Sequence, residues 1–147
     1  MSDSDANLRL DRQLCFPLYA ASNLLTRRYQ PKLSRLGLTY PQYLTLLILW
    51  ENSPSSVGDL GRRLYLDSGT LTPLLKRLEA AGVIRRWRDP EDERRVLIEL
   101  TDARRALKRK ARDVPTSLMI GLDMSRRELQ ALRSAVQRLV TALAVGA

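Results

Sequence analysis

Apolar residues recur every three or four positions along most of the chain, and only one stretch switches to alternation. Leu14, Leu18, Ala21 and Leu25 form the first such face, within a segment from Leu8 to Gln30 that Pro31 is expected to close. Pro17 falls inside this face. A regular helix beginning near Cys15 or Phe16 puts that proline in the first turn, where its missing N–H has no partner to lose. The seven residues at the N-terminus are small or polar and are expected to fray. Thr39-Tyr40-Pro41-Gln42 reads as a capping box opening a helix through Tyr43, Leu44, Leu46, Leu47, Leu49 and Trp50, which Glu51-Asn52-Ser53-Pro54 ends.

Ser56 then caps a short helix carrying Val57, Leu60 and Leu64. Asp67-Ser68 caps another, whose core face is Leu71, Leu74, Leu75 and Leu78 and whose stop is Ala80-Ala81-Gly82. Alternation follows: Val83 to Arg88 and Arg95 to Leu100 form a hairpin around an acidic tip, Asp89 to Glu93. Thr101-Asp102 is expected to cap a helix interrupted at Pro115. Ser125-Arg126-Arg127-Glu128 is a second capping box, opening a final helix with Leu129, Leu132, Val136, Leu139, Val140 and Leu143 on one side.

Two short helices joined by a tight turn and followed by a hairpin outline a winged helix. The expected fold is therefore mainly α. A winged helix-turn-helix core with a two-stranded β wing, residues 39–100, is flanked by helices at 8–36 and 101–147. The apolar faces of those outer helices exceed what the core can cover. A homodimer formed through both ends accounts for them, and a chain of 147 residues fits a single domain of this kind.

Composition narrows the chemistry. Histidine is absent and Cys15 is the only cysteine, which removes metal sites built on those ligands, His-based general bases and intrachain disulfides. No cofactor and no catalytic group are expected. No apolar run approaches the ~20 residues of a membrane span, and the acidic start lacks an export signal, so a cytoplasmic location away from membranes is expected. The 25 Lys+Arg against 16 Asp+Glu give +9, a balance that suits either a solvated surface or a polyanionic partner.

For double-stranded DNA the candidate contacts are Ser68, Thr70, Thr72, Lys76 and Arg77. They lie opposite the core leucines on the second short helix, with short hydroxyls near base edges and longer cations toward phosphates. Arg94 and Arg95, just past the hairpin tip, are candidates for the minor groove. Hydroxyls at a helix start can equally be caps, and the tip arginines can pair internally, for example with Asp92. Residues 56–100 hold nine basic and eight acidic side chains, so the charge excess lies instead in Arg104, Arg105, Lys108, Arg109, Lys110 and Arg112, read mainly as a solvated face.

A lone cysteine is usually an inert small hydrophobe. Cys15, at or just before a helix N-terminus, sits where the helix dipole favours a thiolate. Tyr19, one turn on, and Tyr29 and Tyr40, flanking the next loop, carry hydroxyls that can donate to a thiolate or simply pack half-buried.

The hairpin motif Asp89-Pro90-x-Asp92-x-Arg94-Arg95-Val96 leading into Leu100-Thr101 resembles the MarR family of dimeric winged-helix regulators. Three strings narrow the resemblance to its organic-hydroperoxide-resistance repressor branch: Leu14-Cys15-Phe16, Gly37 to Tyr43, and Leu66 to Leu78. The resemblance implies a repressor that holds an inverted-repeat operator when reduced and releases it when Cys15 is oxidised by an organic hydroperoxide. Tyr29 and Tyr40 would then be hydrogen-bonded to Cys15, one or both from the other subunit. Two departures stand out. Pro17 replaces an expected alanine, and no second cysteine occurs around Ser117 to Ser125, so the chain reads as one-cysteine, either naturally or by alteration, and an oxidised Cys15 can persist as a sulfenate, join a small cellular thiol or overoxidise. The competing readings are a MarR-type repressor released by a small aromatic ligand with Cys15 structural, a thiol peroxidase, and a basic architectural DNA-binding protein.

Overall fold

A computed structural model describes residues 3–146. A single helical turn, α1 (Asp3–Ala6), and a 3-10 turn at Leu10–Arg12 precede the long α2 (Cys15–Arg35). Of the segment expected to fray, Asp3–Ala6 form a local helical turn, and Met1 and Ser2 lie outside the described residues. Helix α2 begins at Cys15 with Pro17 in its first turn. Pro31 does not end it. The helix runs on to Arg35 because Leu33 is fully buried in the core, and the break comes where Gly37 adopts φ 70° and the Leu38 N–H reaches the Leu33 carbonyl at 3.0 Å. The actual stop is the left-handed glycine rather than the proline.

Helix α3 (Tyr40–Glu51) opens on the full Thr39/Gln42 capping box. Strand β1 (Ser55–Ser56) leads into α4 (Val57–Leu64), and α5 (Ser68–Ala80) is capped by the Asp67 carboxylate. The turn between α4 and α5 is tight. Tyr65 takes the left-handed conformation at φ 55°, and a Cβ on Gly61 would stand 2.9 Å from the Leu66 carbonyl oxygen. A side chain at position 61 would push the two helices apart.

Strands β2 (Ile84–Arg88) and β3 (Val96–Leu100) form the hairpin, in register Ile84↔Leu100 to Arg88↔Val96. The sheet has three strands, not two: β1 pairs antiparallel with β3 at Ser55↔Ile98 and Ser56↔Leu97. Beyond the hairpin, the Thr101 hydroxyl donates to the Gly82 and Val83 carbonyls instead of capping a helix. A 3-10 turn (Asp102–Arg104) precedes α6 (Arg105–Ala111). The break before α7 (Val114–Met119) falls at Arg112-Asp113, so Pro115 starts a helix rather than interrupting one. Helix α8 (Arg126–Ala144) opens on the Ser125/Glu128 capping box.

The core is centred on the winged helix and is extended by Leu33 of α2, Leu107 and Ala111 of α6 and Val114 of α7. Leu46, Leu49, Leu60, Leu71, Leu75, Leu78, Ile84 and Ile98 are each at most 2% exposed, and burying such side chains contributes ~1.5–3 kcal/mol apiece. The outer helices differ: α2 buries only Leu33, and α8 buries nothing. Leu14, Tyr19, Leu24, Leu132 and Leu143 stay at least half exposed. Among the described residues no helix is long and apolar enough to cross a membrane.

Candidate nucleic-acid interface and thiol site

The recognition surface is built by the N-terminal end of α5 and the hairpin. With Leu71, Leu74, Leu75 and Leu78 buried, helical geometry turns Ser68, Thr70, Lys76 and Arg77 to solvent, while Thr72 is half-buried. A cleft of about 1350 Å³ separates this face from the wing; Ser68 and Thr72 line one side of it and Arg94 and Arg95 the other. The structure therefore gathers most of the candidate DNA contacts around one open groove. Thr70 carries a second role. Its N–H donates to Asp67 Oδ1 at 2.7 Å, and its backbone and hydroxyl bonds hold the Asp67 carboxyl below the usual range.

The two wing arginines separate. Arg94 has a side chain 92% exposed, with Asp92 at 3.2 Å as its ion-pair partner. Arg95 reaches inward to Asp89 at 3.3 Å, and that carboxylate is 11% exposed and also accepts the Glu91 N–H. Arg94 is thus free to leave the tip, whereas Arg95 fixes the tip's shape. Arg62, Tyr65 and Arg86 also line the groove and were not singled out from sequence. For Arg86 the signal was present, since strand alternation puts it on the face of Ile84.

The basic run after the hairpin lies elsewhere. Arg104 donates to the Ala81 carbonyl at 2.8 Å. Lys108, Arg109 and Arg112 line a cleft with Leu49, Trp50 and Leu100 at the base of the wing, the strand end opposite its tip. The Arg105 side chain lies outside the described residues.

Cys15 is free, exposed, and the first residue of α2. No side chain caps that helix end; the flanking Leu14 is itself helical. The unsatisfied N–H groups of the first turn leave a partial positive charge beside the sulfur. Tyr19, one turn on, is 68% exposed.

Tyr29 and Tyr40 stand far from Cys15 in the same chain. Fourteen residues of helix separate Cys15 from Tyr29, about 21 Å at ~1.5 Å per residue. The two tyrosines instead stack with each other at 4.8 Å, and Tyr43, which sequence had marked only as an apolar position, completes the cluster at 5.9 and 6.3 Å. Burial, reinforced by its neighbours Tyr40 and Tyr43, pushes the Tyr29 hydroxyl up to about 12. Burial also raises Tyr40, and raises Tyr43 with a further contribution from Tyr40. Near neutral pH these phenols stay protonated, so each offers an O–H donor to an anion brought against it.

Comparison with known proteins agrees with this architecture. The family model "MarR family" matches residues 38–96. The organic hydroperoxide resistance transcriptional regulator of Bacillus subtilis is 48% identical over 143 residues, 97% of either chain. A structure of reduced AbfR bound to DNA superposes with a TM-score of 0.74 at 37% identity, covering 93% of this chain and 99% of that one. A structure of overoxidized AbfR bound to DNA gives 0.76 at 36%, covering 95% and 98%. With the helix-turn-helix, the hairpin wing and a relative this similar over nearly its whole length, the chain belongs to the MarR family.

Proposed function

We propose that the chain is a redox-sensing transcriptional repressor. It binds an inverted-repeat operator as a homodimer when reduced and leaves it when Cys15 is oxidised by an organic hydroperoxide. The observation that carries this reading is the placement of Cys15: the only thiol of the chain stands exposed at an uncapped helix N-terminus, on a helix that buries Leu33 near its C-terminal end but leaves Leu14, Tyr19, Leu24 and Leu25 exposed. The near full-length similarity to an organic hydroperoxide resistance regulator supports it.

In this reading α2 and α8 form the dimer interface, as part of dimerisation regions 8–36 and 101–147, and residues 39–100 bind DNA. The two-fold axis sets two α5 helices into successive major grooves, with half-site centres one helical turn (~10–10.5 bp) or a small multiple apart. Ser68, Thr70, Thr72, Lys76 and Arg77 meet bases and phosphates, and Arg94 enters the minor groove. Dimerisation also solves the distance problem at the thiol, because a second chain can bring its Tyr29 and Tyr40 to the Cys15 that the first chain's own tyrosines cannot reach.

The chemistry follows from those donors. The thiolate attacks the distal peroxide oxygen; the O–O bond breaks, sulfur is oxidised to sulfenate, and the departing alkoxide takes a proton to leave as an alcohol. With no second cysteine in the chain, a small cellular thiol condenses with the sulfenic acid, forming a mixed disulfide and water. Bulk added there acts at the junction between the dimer helices and the DNA-binding region. That overoxidized AbfR has been captured on DNA supports the view that added oxygen alone need not dislodge such a regulator. The test is a gel shift of the reduced protein on DNA upstream of its own gene, with and without cumene hydroperoxide and then cysteine. Binding that hydroperoxide plus thiol abolishes supports the reading; binding indifferent to both overturns it.

A further inference from the structure

Resting on the DNA-binding reading above, we infer that Arg86 and Glu79 act as a clamp that sets the wing at its working angle to the recognition helix. Ile84 is 2% exposed, and alternation places Arg86 on the same inward face, directly opposite Ile98, which is fully buried. Arg85 and Trp87 point to the other face, where Arg85 pairs with Glu99 across the strands. Arg86 therefore projects toward α5, and its guanidinium meets the Glu79 carboxylate at 3.2 Å, the two side chains 27% and 39% exposed.

Neither residue is well placed for stability alone. Glu79 lies in the last turn of α5, where the helix dipole disfavours a carboxylate. Arg86 Nε is buried without a hydrogen-bond partner among the described residues, a desolvated donor that an apolar side chain beside Ile98 would not leave behind. What the pair does provide is a directional link from the C-terminal end of the helix that carries Thr70 and Thr72 to the strand that leads to the wing tip. The connection otherwise consists of Ala81-Gly82-Val83, with Gly82 at φ 73°. Arg86 also lines the groove between α5 and the wing, together with Thr72 and Arg94. Arg86 is thus a positioning residue: it acts on DNA through the reach of Arg94.

The test uses full-length reduced protein and an inverted-repeat duplex selected from random DNA by the wild type. Glu79→Gln and Arg86→Met should each lower affinity for that duplex tenfold or more, lose hydroxyl-radical protection of the minor groove under the wing, and leave affinity for random DNA within threefold. Their thermal midpoints should stay within a few degrees of wild type, with Arg86→Met no lower. Arg94→Ala should cost affinity in the wild type and nothing further in Arg86→Met. The charge exchange Glu79→Arg/Arg86→Glu should recover binding to within threefold of wild type. Unchanged affinity and footprint in both single variants, or an equal loss on random DNA, would overturn the clamp while the selectivity of the wild type stands. Failure of the wild type to select any repeat would instead remove the regulator reading itself.

Discussion

Arg94 and Arg95 are adjacent in sequence, and replacing each by alanine should produce opposite outcomes. The Arg94 side chain is 92% exposed and its ion-pair partner Asp92 is 38% exposed. Exposed pairs of this kind contribute ~0–1 kcal/mol, so Arg94→Ala should move the thermal midpoint by less than about 3 °C. Its loss should fall on DNA: withdrawing a guanidinium from the minor groove should cost operator binding ~1–3 kcal/mol, about 5- to 150-fold. Arg95 is half exposed, but its partner Asp89 is only 11% exposed and is left with the Glu91 N–H as a remaining donor. Stranding that carboxylate should cost ~1–3 kcal/mol of stability, a fall of roughly 3–8 °C for a chain of this size. The assay pairs thermal scans at fixed protein concentration with fluorescence anisotropy on operator and random duplexes. Arg94→Ala that melts early yet binds normally, with Arg95→Ala doing the reverse, would refute the division of labour at the wing tip.

Other expectations follow from single contacts. Gly61→Ala should destabilise by ~1–3 kcal/mol, because the new Cβ meets the Leu66 carbonyl oxygen at 2.9 Å; an unchanged midpoint in calorimetry would show that the helix-turn-helix can open without cost. Backbone hydrogen bonds lower the Asp67 and Glu128 carboxyls in the folded state, so the stability they contribute is complete above the ordinary carboxylate range and is lost as pH falls below it through the lowered folded-state values. Asp67→Asn keeps a capping oxygen that does not titrate, and its midpoint should therefore fall less between pH 6 and pH 3 than that of the wild type. Tyr29→Phe should slow peroxide oxidation of Cys15 without weakening reduced-state DNA binding, checked by timed thiol trapping. Neutralising Lys108 and Arg109 together should leave the salt dependence of operator binding within one unit of slope, since both line a cleft at the base of the wing; a drop of about two would place them on phosphates.

What the sequence shows well is what is local. Both capping boxes, the Asp67 cap, the four buried leucines of α5 and the hairpin strands are each specified by residues within a few positions of one another. The misreadings come from longer range. Strand β1 is two serines with no strand signature of their own, formed only because β3 lies beside them. Pro31 looked like a stop because nothing nearby reveals that Leu33 is anchored in the core, and Thr101 looked like a cap because its partners, Gly82 and Val83, are eighteen or more residues away. The thiol site resists sequence reading for a different reason. Cys15 and Tyr29 lie on one rigid helix about 21 Å apart, so whether they ever meet is a property of two chains. The Tyr43 ring, marked only by apolar periodicity, joins the tyrosine cluster through packing that no spacing rule foretells.

The most direct test of the central claim is the response of Cys15→Ser to peroxide. Serine keeps the size of cysteine but cannot be oxidised along the sulfur series. Reduced wild-type protein and the variant should hold the operator duplex with equal affinity. On treatment with cumene hydroperoxide followed by cysteine, the wild type should lose the duplex, regain it after a reducing agent, and show no intersubunit disulfide on a non-reducing gel, while Cys15→Ser should remain bound throughout. Peroxide-triggered release that persists in Cys15→Ser would contradict the account and point to a repressor governed by a bound small molecule instead.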